Sequence, residues 1–240
     1  ILGREPLQDG EVDCYHGPDA AIDVYIDRVV GKSALTVPSV QATGMQADCE
    51  GYPGFIVTNP TDNHFTMPFV IAHELFHLFQ MTYSYAEGCK DYSWFDEGSA
   101  NWAAHTVFPQ DDSEHLWTAA VEYPSLDIAE DYQSWPFMLW MEQTLGTASI
   151  RKTYEGFAKK NAYDAVNAAI GTWRKGFLDF AKHGWNQTPY PSFATWDHLG
   201  QAPKPRYNPV EPVSLLLLGQ KERTAYAPFA VDPRGRDYKR

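Results

Sequence analysis

An α+β fold, with a small N-terminal β-sheet lobe and a mostly helical C-terminal lobe, is predicted by three observations. Residues 1–63 are rich in Gly, Pro and β-branched residues, with alternating apolar and polar positions. Residues 64–188 carry apolar residues at helical spacing, and residues 189–240 turn Pro-rich and irregular. At 240 residues the chain can bury one ample core. Residues 1–188 are therefore expected to form one domain, with 189–240 a C-terminal segment or the start of a further β element.

Taken in order, Ala21–Val30 reads as a strand, because Ile22, Val24 and Ile26 alternate with Asp23, Tyr25 and Asp27. Phe55–Thr58 reads as a short strand bounded by Gly and Pro. A helix should start at Thr66, a capping residue, with Pro68 in the first turn where its missing N–H costs nothing. Its residues Phe69 to Ala72, Leu75, Phe76, Leu78, Phe79 and Met81 are apolar nearly all round, the mark of a buried helix. A second helix is expected to run from Trp94 through His105. Others follow at Pro136–Leu145, Ile150–Lys160, Ala162–Ile170 and Thr172–His183, with strands at Val213–Leu218 and Thr224–Val231. No internal repeat or low-complexity tract interrupts this order.

The first helix carries His73-Glu74-Leu75-Phe76-His77, an H-E-x-x-H box. Histidines four apart project from one helix face, ~6 Å apart, so both imidazoles can reach one tetrahedral Zn²⁺. Glu74 lies close enough to handle the proton of an attacking water. Two histidines and a glutamate on a buried helix are costly unless something satisfies them, and a metal satisfies all three. A catalytic zinc takes three protein ligands and keeps one position open. Glu97, in Trp94-Phe95-Asp96-Glu97-Gly98-Ser99-Ala100-Asn101-Trp102, supplies the missing carboxylate.

This pairing of box and downstream glutamate resembles the gluzincin metallopeptidases, in particular the aminopeptidase-N and leukotriene hydrolase branch, over residues 55–146. That branch follows its box with W-L-N-E-G-F-A, whose glutamate binds zinc; here the stretch is W-F-D-E-G-S-A. The resemblance implies a zincin-like fold, a zinc-dependent peptidase in residues 1–188, and Glu97 as third ligand. Nineteen residues separate His77 from Glu97, one more than the branch usually has, so Asp96 stands as the fallback. Thermolysin-like relatives carry an aspartate four residues after the ligand glutamate, where this chain has Asn101, expected to hydrogen-bond a ligand histidine. The branch's oxyanion-binding tyrosine opens an apolar helix ending near L-E-Q-x-L-G. Tyr132 opens the corresponding stretch, which ends Glu142-Gln143-Thr144-Leu145-Gly146, with Tyr123 and His115 as spare candidates. His105 reads as a helix histidine, since a fourth ligand would close the site.

These roles predict hydrolysis of a peptide amide, with Glu74 as base and Tyr132 facing the oxyanion. The branch's aminopeptidases grip the substrate amine with a G-x-M-E-N segment. The run Gly51–Pro60 has no glutamate, so internal cleavage is expected, with Phe55–Thr58 as the edge strand that pairs with substrate. A small-molecule or glycoprotein hydrolase on the same scaffold is one rival. An inactive zincin retained as a carbohydrate- or protein-binding module is another, although Glu74, whose loss usually marks such modules, is present. The Asp48-Cys49-Glu50-Gly51 stretch lacks the cysteine-ligand motif of peptide deformylase.

A net charge of −12 and the lack of any basic run argue against nucleic acid or an anionic membrane as partner. No stretch reaches transmembrane length. Cys14, Cys49 and Cys89 have no C-x-x-C spacing, and a Cys14–Cys49 disulfide is the expected pairing. The chain opens with Ile1, which suits a secreted protein whose leader has been removed. The acidic pairs Asp111-Asp112 and Glu130-Asp131 lack the ligand spacing of a calcium loop, so Ca²⁺ binding has no support. Eight tryptophans and fourteen tyrosines suggest either core packing or a sugar-stacking subsite, and packing is the expectation. The sequence sets no oligomeric state.

Overall fold

A computed structural model of the protein describes residues 2–8, 21–27, 33–39, 51–60, 66–87, 91–117 and 131–184. The expected strands Val213–Leu218 and Thr224–Val231, all three cysteines, Tyr123 and the side chain of His115 lie outside the described residues.

The fold is α+β: a three-stranded sheet precedes a mostly helical body. Strands β1 (Val24–Ile26), β2 (Ala34–Pro38) and β3 (Gly54–Thr58) are ordered β1-β3-β2. β1 runs parallel to β3, with Val24 opposite Ile56, and β2 runs antiparallel to it, with Thr36 opposite Ile56. Phe55–Thr58 is thus the central strand, not the edge that the sequence suggests, because both sides of its backbone are paired. The edge beside the helices is β2, which the sequence reading does not single out. Within the described residues the first strand is shorter than expected, and Val24 and Ile26 are exposed. The helix that covers the sheet packs on β2 and β3.

That helix, α1 (Met67–Gln80), begins where its sequence says it should. Thr66 has extended backbone angles and its hydroxyl accepts from Phe69 N at 3.4 Å, with proline in the first turn. The Thr66 hydroxyl also donates to Asp111. Asp111 in turn accepts from Ser113 N and Oγ, so its carboxylate caps a 3-10 turn. Gly54 lets α1 approach the sheet: a Cβ there would sit 2.8 Å from Val37 O and 2.9 Å from Leu78 Cδ2.

Helix α2 (Ser93–Val107) packs along α1, and its residues 98–105 are all buried. A 3-10 turn, Asp131–Ser134, then leads into α3 (Trp135–Leu145), followed by α4 (Ala148–Phe157), α5 (Ala162–Ile170) and α6 (Trp173–Gly184). These segments fall close to their predicted positions because their apolar spacing and glycine stops are local signals. The core is aromatic: Phe137 stacks on Trp140 and Trp173 at 5.2 and 5.7 Å, and Trp94 stacks on Tyr163 at 5.6 Å. Trp94, Trp102, Trp135, Trp140 and Trp173 are all buried, so none of these five can stack an external sugar. Among the described residues no helix is long and apolar enough to cross a membrane.

Candidate metal centre

Where α1 crosses α2, three donor atoms converge. His73 Nε2 lies 3.1 Å from Glu97 Oε2 and 3.1 Å from His77 Nε2, and His77 Nε2 is 3.5 Å from Glu97 Oε2. Tetrahedral Zn²⁺ with bonds of about 2.0–2.1 Å separates its ligand atoms by about 3.3 Å, so these spacings match the edges of one coordination sphere. Among the described residues, His73, His77 and Glu97 form the one group of three or more such side chains close enough to share an ion. Two imidazoles and one carboxylate form a donor set suited to zinc.

The far nitrogens of both rings are engaged. His73 Nδ1 lies 2.8 Å from Asn101 Oδ1, the contact that the spacing from Glu97 suggests. His77 Nδ1 lies 2.6 Å from Gln80 Oε1, a partner missing from the sequence reading. Asn101 is fully buried, and its amide nitrogen makes a long contact, 3.5 Å, to Tyr132 O.

Asp96, the fallback ligand, is turned away from the cluster. Its Oδ1 accepts from Tyr154 Oη at 2.9 Å and from Tyr85 Oη at 3.3 Å. Consecutive helical residues point about 100° apart, so only one of Asp96 and Glu97 can face the histidines. Burial pushes the Asp96 carboxyl up to about 7, against the pull of the Tyr154 hydrogen bond and the His77 charge. For Glu97, burial works in the same upward direction, but the charge of His77 and hydrogen bonds from both histidines hold it well below the usual carboxylate range. Burial pulls His77 down, yet the charge and hydrogen bond of Glu97, helped by Glu74, push it up to about 10. In the metal-free protein His77 and Glu97 thus hold each other ionised, as a cation paired with an anion.

Glu74 is buried and tied to the sheet. Thr36 on β2 donates its backbone N–H to Glu74 Oε2 at 2.7 Å, and its hydroxyl lies 2.7 Å from both that oxygen and Glu74 O. Tyr132 lies alongside His73, with ring centroids 5.7 Å apart. It can sit there because residue 98 is glycine. A Cβ on Gly98 would meet Ser134 Oγ at 1.8 Å, in the turn that carries Tyr132. Ser134 fastens that turn by donating to Trp94 O. His105 pairs with Glu114, 2.8 Å away, and lies outside the donor trio.

Gln80, Thr36 and Gly98 each act through a nonlocal contact. Only the box itself hints at them, since a buried polar side chain one turn beyond it needs a partner. Scans against family models, curated proteins and solved structures return no match for this chain.

Proposed function

We propose that the protein is a zinc-dependent metalloendopeptidase with a zincin-like fold, acting on extracellular proteins. The observation that carries this reading is the convergence of His73 Nε2, His77 Nε2 and Glu97 Oε2 at spacings suited to one ion, with Glu74 near enough for its charge to act on His77. His73, His77 and Glu97 would hold the zinc. When bound, the ion supplies Lewis acidity, acidifying water and polarising a carbonyl.

The remaining steps belong to the chain. Glu74 takes a proton from the attacking water and delivers it to the leaving amine. The Thr36 backbone N–H donates to Oε2, so Oε1 is the oxygen assigned to proton transfer. Tyr132, beside His73, offers its phenol to the oxyanion. Among the described residues strand β2 is an edge whose Thr36 touches the base, so a substrate strand lying along β2 would bring its amide close to Glu74. Pairing of substrate along a strand favours internal cleavage. Five of the eight tryptophans are buried in the core and therefore serve packing rather than a sugar-stacking subsite.

Casein cleavage tests the reading. The protein should degrade casein, lose that activity on chelation and regain it with one equivalent of zinc. Intact casein after zinc loading would remove the endopeptidase reading and favour a small-molecule hydrolase or a binding module.

A further inference from the structure

We propose that Gln80 is a positioning residue for His77, and that a backbone carbonyl acting through Gln80 dictates which nitrogen of His77 faces the ion. The proposal rests on the reading of His77 as a metal ligand.

Gln80 is the last residue of α1 and is 3% exposed, so its amide must be satisfied within the protein. Its Nε2 donates to Asp96 O at 2.8 Å and to Ser99 Oγ at 3.1 Å. A backbone carbonyl can only accept, whatever the pH. The Gln80 nitrogen must therefore face Asp96 O, and the oxygen must face His77. That oxygen lies 2.6 Å from His77 Nδ1 and has no proton to give. Nδ1 must carry a proton, so once His77 gives up its second proton the lone pair falls on Nε2, the nitrogen facing His73 and Glu97. The orientation of the Gln80 amide is fixed by the Asp96 backbone carbonyl, which has no proton to gain or lose.

Behind Gln80 the network continues into the helical body. Ser99 Oγ lies 2.7 Å from Tyr154 Oη, and Tyr154 donates to Asp96 Oδ1 at 2.9 Å. The Ser99 hydroxyl accepts from Gln80 and also lies 3.2 Å from Asp96 O, so it has both that carbonyl and Tyr154 Oη within reach. His77, Gln80, Ser99, Tyr154 and Asp96 are thereby joined in one hydrogen-bonded network. Neighbouring acids on α2 thus divide the work: Glu97 faces the two histidines, while Asp96 belongs to the network behind His77. Asn101 holds His73 by the same device, its amide nitrogen aimed at Tyr132 O. Each histidine is held by a neutral amide, and each amide is oriented by a carbonyl.

The test compares Gln80→Met, Gln80→Glu and Asn101→Leu with wild type in zinc affinity, by chelator competition, and in the Nδ1–H resonances of the zinc-loaded proteins. Gln80→Met should weaken zinc binding about 10- to 100-fold and lose the slowly exchanging His77 proton while keeping that of His73. Asn101→Leu should do the reverse. Gln80→Glu still accepts from Nδ1 and should keep the His77 proton. This variant also serves if Gln80→Met does not fold. Gln80→Met with unchanged zinc affinity and an unchanged His77 proton overturns the proposal but leaves the metal reading intact. Loss of the His77 proton in Gln80→Glu also overturns it. Failure of the wild type to bind zinc overturns both.

Discussion

The two faces of α1 differ in polarity. The side turned into the protein sets His73, Glu74 and Gln80, all buried, and the half-buried His77 among the buried apolar residues Phe69, Val70, Phe76 and Leu78. The opposite face presents Pro68, Ile71, Ala72, Leu75 and Phe79 to an apolar cavity of about 580 Å³, shared with Leu2, Ala103 and Val107. A structural helix would point its polar side chains outward. Here each inward polar group has a dedicated partner: Asn101 for His73, Thr36 for Glu74 and Gln80 for His77. Burying polar groups and then satisfying each one adds little stability compared with an apolar face, so stability alone does not account for this polar cluster.

If that contrast is right, the largest effect lies on the polar face. Glu97→Ala should leave no stoichiometric zinc after gel filtration, whereas Asp96→Ala should retain it, because Asp96 bonds to Tyr154 and Tyr85 rather than to the trio. Metal analysis of the two variants decides this, and the reverse pattern would sink the ligand assignment. Next in size is Gly98→Ala, whose new methyl meets Ser134. It should cost about 1–3 kcal/mol in denaturant unfolding and lower kcat by displacing Tyr132.

The pH dependence is smaller and has a definite sign. In the metal-free protein His77 is raised from 6.5 to about 10, so it binds its proton more tightly folded than unfolded. Its contribution is full below pH 6.5 and is lost as pH rises through about 10. Thermal melts of metal-free protein should therefore fall across that window, and zinc-loaded protein should not share the fall, since bound His77 is neutral. Asp96, raised from 3.8 to about 7, contributes stability that is full below 3.8 and lost as pH rises through about 7. Asp96→Asn should flatten the lower window only. The smallest effect belongs to the apolar face: Leu75→Ala should cost about 1 kcal/mol, because the half-buried residue borders open space. Its zinc affinity should not change.

The sequence made α1 legible because its signals are local: Thr66 caps it, Pro68 sits in its first turn, and the histidines are one turn apart. Strand order was not legible. Phe55–Thr58 reads the same whether central or at an edge, and pairing with residues 24–26 and 34–38 decides. Residue count could not separate Asp96 from Glu97, because the packing of α2 against Tyr154 and Tyr85 selects which one faces the histidines. Asn101 was legible by helical spacing from Glu97. Gln80 was not, since its role comes from the Asp96 carbonyl, which lies sixteen residues away.

The central claim, a zinc site with Glu74 as its base, is tested most directly by zinc content and casein cleavage measured side by side for wild type and Glu74→Gln. The account predicts one zinc per chain in both proteins, with cleavage reduced by about 10²- to 10⁴-fold in the variant. Equal cleavage by the two, or no zinc in either, would contradict it.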